Sequence, residues 1–146
     1  MPEKETLERA QRDKREGKSP STQAGEFVRE EIDHIREGKH GARSTKQAIA
    51  IGLSKARRAG VDLPPSSNSS EEVKDQAARD MRKARSGKKA AKSSKRSRAT
   101  SKALKREGHS AASRKALSRQ AHTAAKKRSA ASRSRSAKKA AATRKK

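Results

Sequence analysis

From Lys88 to Lys146 the chain carries 22 Lys and Arg residues against one acid, Glu107. No other feature limits its folding as strongly. Like charges repel, and the apolar surface available for burial is too small to offset chain entropy. The alphabet shrinks to Lys, Arg, Ala, Ser and Thr, in runs such as "KKAAK" and "AAKKRSAAS", with Leu104 and Leu117 as the only large apolar side chains. Segment 88–146 is expected to be a long basic low-complexity tail, disordered in free solution and conditionally helical once phosphates neutralise its lysines.

The remainder is nearly balanced. Met1 to Pro65 holds 14 basic and 11 acidic residues, and Ser66 to Gly87 holds 5 and 4. The whole chain of 146 residues reaches a formal charge of +25 with 28% apolar residues and one aromatic, Phe27. Such a composition supports one small folded module.

That module is predicted to be all-α: a small helical hairpin with flanking helices, followed by the tail. Segment 1–21 reads as a solvated helix from Glu3 to Glu16, anchored only by Leu7 and Ala10, and broken by "GKSPST". Segment 22–65 is the hairpin. Its first helix, from about Thr22 to Glu37, presents Ala24, Phe27, Val28, Ile32 and Ile35 on one face. Its second begins at Ser44, which forms a capping box with Gln47, and carries Ala48, Ile49, Gly52, Leu53 and Ala56. Gly60 and Val61 suit a Schellman ending, and Pro64 and Pro65 forbid continuation. The two helices are expected to pack antiparallel across a Gly38–Arg43 loop, with a core of Phe27, Val28, Ile32, Ile35, Ile49, Leu53, Val61 and Leu63. A core so small calls for dimerisation or a further packed helix. Segment 66–87 reads as a Ser-rich linker and a short helix capped by Ser69 and Glu72, with a weak stripe of Val73, Ala77, Met81 and Ala84.

The charge implies a polyanionic partner, and nucleic acid is the most abundant one. The expected contacts in the tail are Lys88, Lys89, Lys92, Lys95, Arg96, Arg98, Lys102, Lys105, Arg106, Arg114, Lys115, Arg119, Lys126, Lys127, Arg128, Arg133, Arg135, Lys138, Lys139, Arg144, Lys145 and Lys146. A second group, Lys39, His40, Arg43 and Lys46, surrounds the N-terminus of the helix starting at Ser44, where free N–H groups suit a phosphate. Lys55, Arg57 and Arg58 are read as complementing that helix's C-terminal dipole. Without aromatics to stack bases, duplex DNA is favoured over RNA.

Other chemistry is poorly provided for. With no cysteine there is neither a disulfide nor a thiolate metal site. His34, His40, His109 and His122 show no metal-ligand spacing, so neither metal nor cofactor is expected. The acids of "REEID" (Arg29 to Asp33) read as a solvated face. No phosphate-cradling loop and no Ser-His-Asp arrangement stands out, so neither enzymatic activity nor a small-molecule substrate is expected. "SRSRS" (Ser132 to Ser136) reads as flexible spacing rather than a phosphorylation element. No apolar run approaches a membrane span, and the start of the chain lacks a secretory signal's apolar stretch, so a cytoplasmic, nucleoid-associated location is expected.

Gly25 to Pro64, with "KQAIAIGLSKAR" (Lys46 to Arg57) at its centre, resembles a family of small basic bacterial proteins often labelled plasmid-stabilisation protein. Met1 to Thr22 is similar in style. The tail resembles, in composition, the Lys/Ala/Ser-rich tails of linker-histone-like bacterial proteins. The resemblance implies a histone-like DNA-binding protein with a role in plasmid maintenance, and no catalytic residues to carry over. Two alternatives stand beside it: an adaptor whose hairpin binds a protein partner or a second copy, with the tail as nucleic-acid anchor, and an RNA- or ribosome-associated basic protein.

Overall fold

A computed structural model of the chain describes residues 1–87 and 91–145. Among these residues the regular structure is entirely helical: α1 (Lys4–Arg15), α2 (Pro20–Arg36), α3 (Thr45–Arg58), α4 (Glu71–Ser86), α5 (Ser94–Arg106), a 3₁₀ turn (Ser110–Ala112), α6 (Arg114–Lys126) and α7 (Ala130–Arg144).

The α2–α3 hairpin is the centre of the fold and forms its largest helix–helix interface. Both ends of α3 follow the sequence. The Gln47 N–H donates to Ser44 Oγ at 3.2 Å, which is the forward half of the capping box, while Gln47 Oε1 accepts at 2.7 Å from the Arg43 N–H, one residue before the N-cap. At the other end Gly60 takes φ +98°, the Val61 N–H donates to the Ala56 carbonyl and the Gly60 N–H to that of Arg57, which is the Schellman pair. α2 starts earlier than predicted, because Pro20 is tolerated in the first turn and Ser19 accepts the Thr22 N–H as N-cap.

Two apolar clusters stabilise the hairpin. Ala24 and Phe27 near the start of α2 meet Ala56 and Val61 at the end of α3, with Ala10 of α1 alongside. Ile32 and Ile35 near the end of α2 meet Ala42 and Ala48 near the start of α3. This pairing of opposite ends makes the hairpin antiparallel. Burial of Phe27 and Ile35 contributes about 1.5–3 kcal/mol each. Ile49, expected in the core, is half-buried and belongs to neither cluster. Ala48 turns inward in its place.

Three expectations are corrected. α1 is no solvated appendage. It packs on α2, buries Thr6, Ala10 and Asp13, and sends Arg9 Nε to Glu26 Oε2 at 2.6 Å. α4, expected as a short helix, runs for 16 residues, packs on α3 and buries Asp80 as well as Ala77. Its N-cap is Ser70 rather than Ser69, with no side-chain cap bond. The third correction concerns the tail. Ala111 and Ala112 are buried in the cluster of Ile32, Ile35, Ala42 and Ala48, with Leu117 packed against it. Arg36 Nε donates to the Ala112 carbonyl, Thr45 Oγ1 to that of Ala111, the Ala42 N–H to that of Gly108 and the Gly41 N–H to that of Leu104. The extra packing that the small hairpin requires thus comes from α1, α4 and residues 104–117.

The rest of the tail is helical as well. Ser93, Ser113 and Ser129 each accept the N–H of the third following residue, so α5, α6 and α7 all begin on a serine N-cap. Alanine supplies the helical preference. α7 shares no substantial contact with another element among the described residues.

Candidate nucleic-acid interface

The cations fall into two populations. In the first 87 residues nine of the 19 Lys and Arg residues form ion pairs with acids. Arg9 binds Glu5 and Glu26, Lys18 binds Asp13 and Glu16, Lys55 binds Glu30 and Glu31, and Arg58 binds Asp80. Arg57 is buried, and its Nε donates to the Leu63 carbonyl at 2.8 Å. Lys55, Arg57 and Arg58 therefore make specific contacts within the fold, Arg58 from an exposed position, beyond the dipole role expected of them.

In the tail the pattern reverses. Among the described residues no Lys or Arg from Lys92 to Lys145 forms an ion pair, and every one of them is exposed. Lys92, Lys95, Arg96, Arg98, Lys102, Lys105 and Arg106 lie on or just before α5. Arg114, Lys115, Arg119 and Lys126 lie on α6, with Lys127 and Arg128 following. Arg133, Arg135, Lys138, Lys139 and Arg144 lie on α7, and Lys145 ends it. Lys88, Lys89 and Lys146 lie outside the described residues.

The group expected around the start of α3 divides. Lys39 Nζ lies 3.2 Å from Glu3 Oε1 and 3.0 Å from Glu37 Oε2, and these carboxylates push its pKa up, Glu37 first. His40 Nε2 lies 2.9 Å from Glu31 Oε1, and its Nδ1 2.9 Å from the Gly41 carbonyl. Both side chains are thus engaged with carboxylates of the fold, His40 largely buried and Lys39 half-exposed. Arg43 and Lys46 are exposed. Lys46 lines a cleft of about 400 Å³ with Ser44, Thr45, Ala116, Arg119, Gln120 and Thr123. The docked tail thus brings Arg119 to the N-terminus of α3. The first-turn N–H groups of Thr45 and Lys46 have no acceptor within the helix. This juxtaposition was invisible in the sequence because Lys46 and Arg119 meet only through the docking of Ala111 and Ala112.

The "REEID" acids also differ from expectation. Glu30 is 3% exposed and Glu31 1%. The Glu3 N–H donates to Glu30 Oε2 at 3.0 Å. Burial pushes the Glu30 carboxyl up, but the Glu3 N–H, Thr6 and Lys55 outweigh it and hold the pKa below the ordinary value. Lys55 Nζ lies 2.7 Å from Glu31 Oε2, so this buried carboxylate is balanced by an ammonium. Glu31, His34 and His40 offer one ligand atom each, all within 4.8 Å of one another. Spacing could not reveal this cluster, since His40 lies beyond the end of α2.

No helix among the described residues is long and apolar enough to cross a membrane. No curated protein and no solved structure matches the chain. A family model described as a family of unknown function (DUF6496) matches residues 14–67, so that from the end of α1 through α2 and α3 the chain is similar to that family.

Proposed function

We propose that this protein binds duplex DNA without sequence preference, as a histone-like, nucleoid-associated protein that compacts the duplex through phosphate contacts. The carrying observation is the segregation of its cations: about half of the Lys and Arg residues of the first 87 positions are engaged by carboxylates, whereas those of α5, α6 and α7 are exposed and free of ion pairs among the described residues. Unpaired Lys and Arg displace condensed counterions from a polyphosphate, and this term supplies most non-specific affinity. α7, with 15 residues, is about 22 Å long, and a duplex presents one charge per roughly 1.7 Å of its axis. The resemblance of residues 25–64 to proteins labelled plasmid-stabilisation protein extends this proposal to plasmid maintenance.

The adaptor reading has less support. The apolar faces of α2 and α3 are covered by α1, α4 and residues 104–117, and among the described residues the large apolar side chains left exposed are Met1 and Val73. The test is the full chain with Arg133, Arg135, Lys138, Lys139 and Arg144 changed to Gln. These residues lie on a helix that packs on nothing substantial, so the fold is retained. Affinity for a random duplex should fall about tenfold or more at 100 mM salt. Unchanged affinity would overturn the proposal, and tighter binding to structured RNA than to duplex DNA would transfer it to RNA.

A further inference from the structure

We infer that Glu31, His34 and His40 form a binding site for a divalent transition-metal cation of the zinc type, which clamps the end of α2 to the loop before α3. Glu31 and His34 stand three residues apart on α2 and so share a face. Their ligand atoms and that of His40 lie within 4.8 Å of one another. Two donors on a tetrahedral zinc ion lie roughly 3.3 Å apart, so small side-chain adjustments bring all three to bonding distance. Two imidazoles and one carboxylate select a borderline cation over calcium or magnesium.

Three further observations point to a ligand. His40 Nδ1 faces the Gly41 carbonyl at 2.9 Å. An N–H there leaves the lone pair on Nε2, aimed at Glu31 Oε1 2.9 Å away. This is the outer contact that fixes a metal-binding imidazole. Two lone pairs cannot face each other unless a cation, proton or metal, lies between them. The second observation is the burial of the Glu31 carboxylate, 1% exposed, with Oε2 beside the Lys55 ammonium at 2.7 Å and Oε1 turned toward His40.

The third is charge. The connected cluster holds four carboxylates, Glu3, Glu30, Glu31 and Glu37, against two ammoniums, Lys39 and Lys55. With neutral imidazoles it carries two negative charges in a strongly cationic chain, and one divalent ion neutralises them. Lys55 repels that ion least if Glu31 binds through Oε1 alone, because Lys55 then keeps Oε2 and Glu30. The fourth position falls to water.

The test uses untagged full-length chain, since a histidine tag would bind the same ions. Titration with zinc chloride should show one site per chain and raise the thermal midpoint, with reversal by a chelator. Cobalt(II) should give the visible bands of a tetrahedral nitrogen–oxygen site. His34→Gln, at the partly exposed rim, and His40→Asn should each weaken binding about tenfold or more, while His109→Asn and His122→Asn should leave it unchanged. Absence of stoichiometric zinc binding by the wild-type chain overturns the inference, as does binding that survives both His34→Gln and His40→Asn or vanishes with His109→Asn or His122→Asn. Because the wild-type titration and the cobalt spectrum need no variant, a substitution that fails to fold does not shield the proposal. Duplex DNA affinity is measured separately, and its loss or retention does not bear on the metal.

Discussion

Gly41 lies directly against the backbone of Glu107: a Cβ at position 41 would collide with the Glu107 carbonyl group. The contact joins the loop between α2 and α3 to the sole acid of the basic tail, and it admits no side chain. Gly41 does not have a positive φ, so the requirement is one of space rather than backbone conformation. Gly41→Ala should therefore lift residues 104–113 from the hairpin, with loss of the Gly41–Leu104 and Ala42–Gly108 hydrogen bonds. The expected cost is about 1–3 kcal/mol in thermal unfolding, with faster tryptic cleavage at Arg106. Gly25→Ala is the control. That glycine lies within α2 with nothing within 4 Å of an added Cβ, so the change should stabilise by about 0.5–1 kcal/mol.

Gly52 sets the distance between α2 and α3. An added Cβ would stand 2.7 Å from Val28 Cα. Backbone atoms cannot rotate away as a flexible side chain can, so Gly52→Ala must push the helices apart. We expect a loss of about 2 kcal/mol, partly offset by alanine's better helical propensity, read as a lowered thermal midpoint.

Asp80 ties α4 to α3. It is fully buried and accepts from Ser54 Oγ at 2.6 Å, Arg58 Nε at 2.9 Å and Gln76 Nε2 at 3.2 Å. Burial raises its pKa, but Ser54, Arg58 and Gln76 outweigh that effect and hold it below the ordinary value. A carboxyl with a depressed folded pKa contributes stability that is present above its unfolded value, about 3.9, and is lost as pH falls through the folded one. The wild type should therefore lose stability more steeply below about pH 4 than Asp80→Asn does. At neutral pH, Asp80→Ala should cost about 1–3 kcal/mol by leaving Ser54 without its acceptor, as measured by chemical denaturation.

The hairpin was legible because its signals are local. Ser44 and Gln47 lie within one turn, as do Ala56, Gly60 and Val61, and the α2 stripe of Phe27, Val28, Ile32 and Ile35 follows the helical period. The tail's start was opaque because Ala111, Ala112 and Leu117 acquire meaning only against Ile35, Ala42 and Ala48, some seventy residues away. Glu30 and Glu31 misled for a similar reason. A carboxylate is normally solvated, and these two are buried only because Lys55, His40 and the Glu3 N–H arrive from other elements. The serine caps of α5, α6 and α7 are local signals too, but serine is so frequent in the tail that the three caps do not stand out in the sequence.

The most direct test of the central claim is the affinity of the full chain for random-sequence duplex DNA across a range of sodium chloride concentrations. Neutralisation of roughly eight phosphates by the exposed tail cations predicts a log–log slope of about −7, the same for unrelated sequences. A slope shallower than about −2, or no binding at 100 mM salt, would contradict it.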